Sequence, residues 1–378
     1  MTPPRLFIAM ICLTLMSSAA FADVINVPAD YPTIQAAIDA SSDGDEVVIA
    51  PGLYNEFGIQ FNGKAITLRG STGSDGLPTT AITSGSEGSI MSIGFQQIDP
   101  TVRDITFTGS TADTAVMTFH SNATFINCTF LDNAGFLGGG FYNLNGGPSF
   151  IDCRFIDNTA TWGGGYACWE TGQPEHPIFT RCLFEGNTGE IGGGMANLRS
   201  QPTLNDCVFR NNQASFGGGL YNDGDACCSQ WEGNITLIDC LFEDNEALES
   251  GGGIYNAIFG FPVIQGTTLR NNTAIFFGSG MFSEDQMLPA VSDSVFCGNQ
   301  GTSDQITGPW TDDGDNAIED NCQTPCPGDL DGNGDVSVDD LLALLAVFEL
   351  NADGDCDGDD DTDVDDLLLL IGNYGDCS

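Results

Sequence analysis

Two acidic segments near the C-terminal end have the residue types and the spacing to bind a hard divalent cation. DLDGNGDVSVDD runs from Asp329 to Asp340, and DCDGDDDTDVDD runs from Asp355 to Asp366. A calcium loop takes side-chain oxygens from positions 1, 3, 5, 9 and 12 and a carbonyl from position 7, because alternate residues of a tight loop converge on one point. The predicted Ca2+ ligands are Asp329, Asp331, Asn333, Asp335 through its carbonyl, Ser337, Asp340, Asp355, Asp357, Asp359, Asp361 through its carbonyl, Asp363 and Asp366.

The elements that would position these ligands are two short helices. LLALLAVF follows the first loop and LLLLIG follows the second, and each apolar run predicts the start of a helix. Residues 326–378 contain 16 acidic residues and no Lys or Arg, so we expect a bound cation to offset the repulsion between the carboxylates. The loops differ at position 6, where the first has Gly334 for the sharp turn and the second has Asp360.

These two loop-helix units resemble a type I dockerin over residues 327–375, with Asp at position 12 and no entering helix. The resemblance implies a dockerin-like domain at 326–378 that docks onto a cohesin through loop positions 10 and 11 and the helix that follows. Those positions hold Val338 and Asp339 in the first loop and Val364 and Asp365 in the second. They are not the common Ser-Thr pair, so a different cell-surface partner is the alternative.

The segment before this module is polar and has no periodicity, so residues 301–325 are predicted to be a linker. One disulfide is expected among the cysteines near the module, which are Cys322, Cys326, Cys356 and Cys377.

A repeat fills the middle of the chain. Each copy has the pattern Cys-x-Phe-x-x-Asn followed by a glycine block, and successive cysteines lie 25, 29, 25 and 33 residues apart. A period in this range is typical of solenoids. The alternation of Cys and Phe indicates strands, and the glycine blocks break any helix. We therefore predict the coils of a parallel β-helix, with an inward column made of Phe130, Phe155, Phe184, Phe209, Phe242, Leu269 and Phe296.

Stacking gives each repeated position a physical role. Every Phe lands on the Phe of the next coil at the strand spacing of roughly 4.8 Å. Each Asn ends a strand, and its amide can bond the coils on either side, as in the amide ladders of cross-β structures. The glycines, as at Gly163–Gly165, allow a corner with φ > 0 or close backbone approach. The cysteines are predicted to be buried thiols, the alternative being a metal or redox array.

Residues 29–70 resemble the opening of pectin-lyase-fold proteins. Ile34, Ala37 and Ile38 lie on one face of a predicted capping helix, and Pro51–Glu56 follows the pattern P-G-x-Y-x-E. The F-x-x-N and G-G-x alternation is similar to the polymorphic outer-membrane protein repeats of adhesins. The resemblance implies an all-β, right-handed parallel β-helix over residues 23–300.

The resemblance does not extend to the catalytic segments of pectin-acting enzymes. The N-T-D, G-H-G and R-I-K segments of polygalacturonases and the L-G-R-P-W segment of pectin methylesterases are missing. Arg154, Arg181 and Arg210 lie at or beside outward strand positions, where we expect solvation or salt bridges rather than a base. His120 and His176 have no metal-ligand spacing. Catalysis is therefore not favoured, and no catalytic residue is predicted.

Composition and the N-terminal segment restrict the partners. A net charge of −44 argues against nucleic acid, because phosphate binding needs basic residues. Residues 1–22 have the features of a signal peptide, namely Arg5, an apolar run and the A-x-A motif at Ala20–Ala22. No later stretch is apolar enough to insert into a membrane, so we expect a secreted protein.

Three loop tryptophans are predicted to bind ligand, since aromatic rings stack on sugars and anchor interfaces. They are Trp162, Trp169 and Trp231. The favoured function is a secreted, non-catalytic β-helix that binds an extracellular polysaccharide or a cell-surface partner. One alternative is a lyase or glycoside hydrolase that acts on pectin-like or other acidic glycans, and the other is a structural matrix protein.

Overall fold

The computed structural model describes residues 22–94, 99–169, 176–224, 235–258, 261–285, 287–322, 328, 330, 335–348, 356 and 362–376. Most of them form a solenoid in which each full coil contributes one strand to each of four parallel sheets. We number the sheets in the order in which a coil passes through them. The predicted β-helix coils are confirmed.

The first two sheets form adjacent faces of the solenoid. The first sheet contains β1 (Val24–Val27), β2 (Glu46–Ile49), β5 (Thr67–Arg69), β8 (Thr101–Arg103), β11 (Thr124–Ile126), β15 (Ser149–Ile151), β19 (Ile178–Thr180), β23 (Thr203–Asn205), β27 (Thr236–Ile238), β31 (Val263–Gln265), β35 (Ala290–Ser292) and β39 (Thr311–Asp312). The second contains β3 (Gly52–Asn55), β6 (Thr80–Thr83), β9 (Ile105–Thr108), β12 (Thr129–Leu131), β16 (Arg154–Ile156), β20 (Leu183–Glu185), β24 (Val208–Arg210), β28 (Leu241–Glu243), β32 (Thr268–Arg270), β36 (Val295–Cys297) and β40 (Ala317–Glu319).

The other two sheets meet at the glycine corner. The third contains β13 (Ala134–Leu137), β17 (Thr159–Trp162), β21 (Thr188–Ile191), β25 (Gln213–Phe216), β29 (Glu246–Ser250), β33 (Thr273–Ala274) and β37 (Gln300–Gly301). The fourth contains β4 (Ile59–Gln60), β7 (Met91–Gly94), β10 (Val116–Phe119), β14 (Phe141–Leu144), β18 (Tyr166–Trp169), β22 (Met195–Leu198), β26 (Leu220–Asp223), β30 (Ile254–Asn256), β34 (Met281–Ser283) and β38 (Ile306–Thr307).

The core follows the predicted columns. The phenylalanines of the second sheet are fully buried, and Phe184 stacks between Phe155 and Phe209 with ring centroids 4.6 and 4.4 Å apart. Each such burial contributes about 1.5–3 kcal/mol. Cys128, Cys153, Cys182, Cys207 and Cys240 are buried thiols rather than disulfides, as predicted. Burial raises the pKa of the Cys153 thiol well above its ordinary value, so it is unsuited to metal binding or nucleophilic chemistry.

The predicted asparagine ladder is present beside the phenylalanine column. From Asn133 to Asn299, each side-chain amide donates to the side-chain oxygen of the next Asn at 2.9–3.0 Å. The ladder ends where Asn299 donates to Gln305 at 2.7 Å. Each inner side chain also bonds two backbone groups of the preceding coil: Asn158, for example, donates to the Phe130 carbonyl and accepts the Asn133 N–H, so its polar atoms are satisfied.

Corners depend on residues that accept a left-handed backbone. Gly163 has φ of 63°, and a Cβ there would overlap the carbonyl of Tyr166, which explains the first glycine of the block. The residue before each ladder Asn also has positive φ and is always Asp, Asn or Gly, as at Asp132, Asp157 and Gly186. The acidic residues at these corners are therefore explained by the backbone conformation, which Asp, Asn and Gly tolerate, and need no catalytic role.

The N-terminal end is capped by α1 (Ile34–Ala40), as predicted. Ile34, Ala37 and Ile38 are fully buried. The Glu56 carboxylate accepts the N–H groups of Ile34 at 2.9 Å and Gln35 at 2.7 Å, so the P-G-x-Y-x-E pattern serves the helix start.

The linker prediction for 301–325 is wrong for most of its length. Strands β38, β39 and β40 pair in parallel with β34, β35 and β36 and extend the solenoid to Glu319. This coil is not visible in the sequence, because its residues lack the Phe and the glycine block of the repeat. The disulfide prediction is wrong for Cys322, which pairs with Cys297 of β36 rather than with a cysteine of the C-terminal module. Cys326 and Cys377 lie outside the described residues.

The C-terminal module contains the two predicted helices, α2 (Val338–Val347) and α3 (Val364–Gly372). Val336, Leu344 and Leu370 form its small buried core. A two-stranded antiparallel sheet joins β41 (Asp335–Val336) to β42 (Gly375–Asp376). None of the helices among the described residues is long and apolar enough to cross a membrane.

Candidate ligand-binding site

The predicted calcium loops are described only in part. Asp335, Ser337, Asp340, Asp363 and Asp366 fall within the described residues. Ser337 caps the N-terminus of α2, and its Oγ donates to Asp340 at 3.1 Å. The other predicted ligands lie outside the described residues, and they are Asp329, Asp331, Asn333, Asp355, Asp357, Asp359 and Asp361.

The two loops close in the same way. Asp340 and Asp366, at position 12, are both fully buried. Asp340 accepts the backbone N–H groups of positions 2 and 9 of its loop, both at 2.8 Å, and Asp366 repeats these contacts at 2.6 and 2.7 Å. The donors are Leu330 and Ser337 in the first loop and Cys356 and Asp363 in the second.

The predicted partner-binding residues lie at the start of α2 and α3. Val338 and Val364 are each 55% exposed, and Asp339 is exposed. The side chain of Asp365 lies outside the described atoms.

A continuous row of aromatic rings lies along the outer face of the fourth sheet and its corner with the third. Tyr221 stacks on Tyr255 at 5.2 Å, and Tyr255 lies 4.9 Å from Phe282. Trp162 meets the edge of Tyr221 at 6.2 Å, Phe216 meets Tyr255 at 5.4 Å, and Phe277 lies 6.0 Å from Phe282. We call these six residues the aromatic row, which comprises Trp162, Phe216, Tyr221, Tyr255, Phe277 and Phe282.

The repeat explains where the row begins. Tyr142, Ala167, Ala196 and Tyr221 occupy one outward column of the fourth sheet in successive coils. The two alanines leave the space that lets Trp162, in the coil of Ala167, reach Tyr221 two coils away. The row then continues through Tyr255 and Phe282 of the same column.

Charged side chains border the row. The Tyr255 hydroxyl donates to Glu284 Oε1 at 2.8 Å. Asp223 ends β26, two residues after Tyr221, and the Arg199 guanidinium lies 5.6 Å above the Trp169 ring. Tyr255 is only 8% exposed, Phe277 is 50% exposed, and the other rings of the row are partly buried. The site therefore presents parts of its rings, with carboxylates and hydroxyls at their edge.

The electrostatics of the row reflect its partial burial. Loss of hydration raises the pKa of Asp223 to about 6, an increase that Glu284 reinforces and Arg199 opposes. Loss of hydration also raises the pKa of Tyr221, and it raises that of Tyr255 together with the hydrogen bond to Glu284. Both tyrosines therefore keep their protons at neutral pH and can donate hydrogen bonds.

Comparison with known proteins bears on the fold. The model of the right-handed beta helix region matches residues 57–256, just over half of the chain. The chain belongs to the right-handed β-helix family. No curated protein sequence matches it.

Solved structures similar to this β-helix protein are distant. The product of ORF18 of Geobacillus virus E2 is 14% identical over 80% of this chain, with a TM-score of 0.42, and the chain spans 62% of its length. A pectate lyase is 12% identical over 81% of this chain and 79% of its own, with a TM-score of 0.42. A pectin methylesterase from Aspergillus niger is 14% identical over 81% of this chain and 91% of its own, with a TM-score of 0.41. Likenesses of this size say nothing about activity.

Two of the three predicted tryptophans of this β-helix protein lie within the described residues, and each contacts a side chain of the site. Trp162 begins the aromatic row, and Trp169 lies under Arg199 at 37% exposure. Trp231 lies outside the described residues. Sequence reasoning missed Tyr221, Tyr255 and Phe282, although their shared position after the glycine block was visible as a recurring aromatic.

The outward cations behave as predicted where partners are described. Arg181 binds Asp152 at 2.8 Å, and Arg210 binds Glu185 at 2.9 Å. Arg270 binds Glu243 in the same column at 2.7 Å. These exposed or partly exposed pairs connect neighbouring coils, and each contributes little.

Proposed function

We propose that this protein is a secreted, non-catalytic β-helix that binds an extracellular polysaccharide along the aromatic row. The observation that carries the proposal is the continuous run of six rings on one outer face, bordered by Asp223 and Glu284. Aromatic faces stack on the apolar faces of sugars, and carboxylates accept hydrogen bonds from sugar hydroxyls. From Trp162 to Phe282 the row crosses four coil steps, roughly 19 Å at the strand spacing, which suits a polymer.

Substitution of Tyr221 tests this proposal. Tyr221→Ala should weaken polysaccharide binding about tenfold, which corresponds to about 1.4 kcal/mol. Tyr142→Ala is the matched control, since Tyr142 lies in the same column one coil before the row begins. Isothermal titration with soluble glycans would compare the two variants. Equal binding by Tyr221→Ala, Tyr142→Ala and the unchanged protein would show that the row is not the site.

We also propose that the C-terminal module binds Ca2+ and attaches the protein to a cohesin-like or other surface partner through Val338, Asp339, Val364 and Asp365. The buried carboxylates of Asp340 and Asp366 support the proposal, because residues 326–378 contain no Lys, Arg or His to neutralise them. Bound Ca2+ would supply that charge and hold each loop closed through the predicted ligands.

Calcium titration of the EDTA-treated full chain tests the metal proposal. We expect two ions, with dissociation constants between about 10⁻⁷ and 10⁻³ M. Asp340→Ala should remove one of them, whereas Asp293→Asn, at an exposed corner of the solenoid, should remove none. An absence of heat and of any change in circular dichroism on adding Ca2+ would contradict the proposal.

One observation favours glycoside hydrolysis as a second candidate. A carboxyl whose pKa is raised to about 6 beside aromatic rings can act as a general acid, and Asp223 has this environment. Release of reducing sugar from a bound glycan, abolished in Asp223→Asn, would establish it. Binding without any release favours the non-catalytic function.

A further inference from the structure

The charges around the aromatic row are mostly of one sign. Asp223 and Glu284 border it, and Glu249 is near enough to raise the pKa of Tyr255. Among the described residues that act on these rings and carboxyls, Arg199 is the one cation. We infer that the row binds an uncharged polysaccharide and rejects polyuronates such as polygalacturonate. This inference rests on the proposed function and specifies its ligand class.

Arg199 is poorly placed to receive a uronate. Its guanidinium lies over the Trp169 ring, and it is close enough to Asp223 to lower the pKa of that carboxyl. A sugar carboxylate would therefore compete with Asp223 for the same cation. Elsewhere on the row it would meet Glu284, whose carboxylate already accepts the Tyr255 hydroxyl.

The repulsion between a sugar carboxylate and an acid of the row is large enough to determine which glycans bind. Two like charges a few ångströms apart repel roughly four times more strongly near a protein surface than in water, because the effective dielectric constant there is lower. A polyuronate carries a charge on every sugar unit, so any alignment with the row brings a carboxylate near an acid. We expect roughly a tenfold loss of affinity for each such encounter at low salt, less at high salt because ions screen it.

An uncharged glycan avoids this cost and uses the same groups. Its apolar faces pack against the accessible parts of the aromatic side chains, and its hydroxyls donate to Asp223 and Glu284. The tyrosine hydroxyls remain protonated and can donate to ring or hydroxyl oxygens. The acidic border then contributes hydrogen bonds instead of repulsion.

The net charge of −44 would repel any polyanion, so the experiment must separate the border of the row from the whole molecule. The double variant Asp223→Asn and Glu284→Gln removes two charges at the row. The matched control, Asp239→Asn and Asp293→Asn, removes two at exposed corners between the first and second sheets. Asn tolerates the positive φ of both corners.

Binding of the full chain is measured by titration with xyloglucan, galactomannan, mixed-linkage β-glucan and polygalacturonate. We expect binding to at least one neutral glycan, and at least tenfold weaker binding to polygalacturonate. The row variant should gain at least tenfold in polygalacturonate affinity while the corner variant does not. Added NaCl should raise the affinity of the unchanged protein for polygalacturonate.

The outcomes separate the ligand class from the function. Polygalacturonate bound as tightly as the best neutral glycan would overturn the inference and leave polysaccharide binding intact. An equal gain in the row and corner variants would overturn it too, since repulsion would then come from the whole protein. Failure to bind every glycan would remove the proposed function itself.

Discussion

Replacement of Asn212 tests whether the asparagine ladder stabilises the solenoid. Asn212 is 1% exposed. Its Nδ2 donates to Asn245 Oδ1 at 2.9 Å and to the Phe184 carbonyl at 2.8 Å. Its Oδ1 accepts from Nδ2 and from the backbone N–H of Asn187, at 2.9 and 3.0 Å. Asn212→Ala therefore deletes four buried hydrogen bonds at once.

The expected loss of stability follows from the hydrogen bonds that each partner of Asn212 keeps after the substitution. Asn245 Oδ1 keeps the backbone N–H of residue 212, and Asn187 Nδ2 keeps the Phe155 carbonyl. The backbone N–H of Asn187 loses its acceptor, Asn212 Oδ1, and becomes a buried donor without a partner, at a cost of about 1–3 kcal/mol. Each of the other bonds contributes about 0.5–1.5 kcal/mol. We expect Asn212→Ala to lower the free energy of unfolding by about 3–5 kcal/mol.

Urea unfolding followed by circular dichroism measures this change. Asn211→Gly is the matched control, because Asn211 is exposed with φ of 55° and glycine adopts that conformation without strain. Its effect should stay within about 0.5 kcal/mol. Asn212→Asp should destabilise at least as much as Asn212→Ala, since a carboxylate cannot donate to Asn245 or Phe184. A loss below about 1 kcal/mol in both Asn212 variants would refute the ladder argument.

Three further predictions concern the core, the thiols and the row. Phe209→Ala should lower the free energy of unfolding by about 3–5 kcal/mol. The control, Phe136→Ala, changes a side chain that is 65% exposed and should lower the free energy of unfolding only slightly. Equal effects of the two substitutions in urea unfolding would contradict the role of the stacked phenylalanine column. Cys153 and Cys182 should not react with a thiol reagent at pH 8 until urea is added, and reaction of the folded protein would show that the column is accessible. Because the pKa of Asp223 is raised from 3.8 to about 6, the folded form binds this proton more tightly, so stability is lost as pH rises from about 4 to 6. Asp223→Asn should remove that loss. After allowance for partial exposure, we expect the variant to be more stable than the unchanged protein by about 1–2 kcal/mol near pH 7.5 but not near pH 4. Identical melting temperatures of the two proteins at both pH values would disprove the raised pKa of Asp223.

The inside of the solenoid was predictable from the sequence because stacking places each repeated residue on its own copies. Phe155 contacts Phe130 and Phe184, and Asn187 contacts Asn158 and Asn212, so a period and a spacing suffice to name the contacts. The capping helix was predictable for a similar reason, since its apolar face is visible in three residues.

Other features depend on geometry that the repeat does not encode. The final coil lacks the Phe and the glycine block, so β38–β40 resembled a polar linker, and Cys322 was assigned to the wrong neighbours. The pKa of Asp223 is raised by loss of hydration, and Glu284 reinforces this increase while Arg199 opposes it; both residues come from other coils. No pattern of spacing within one coil identifies such a group.

The aromatic row shows how function can be carried by departures from a repeat. The inward residues must match from coil to coil, because each packs against its own copy. Outward residues have no such constraint, and the column through Tyr142, Ala167, Ala196 and Tyr221 changes size from coil to coil. The two alanines open space for Trp162, a side chain whose counterparts in neighbouring coils are Leu137 and Ile191. The row therefore begins where the repeat is interrupted, so positions that break the pattern on the outer face are the ones to substitute when a binding site is sought.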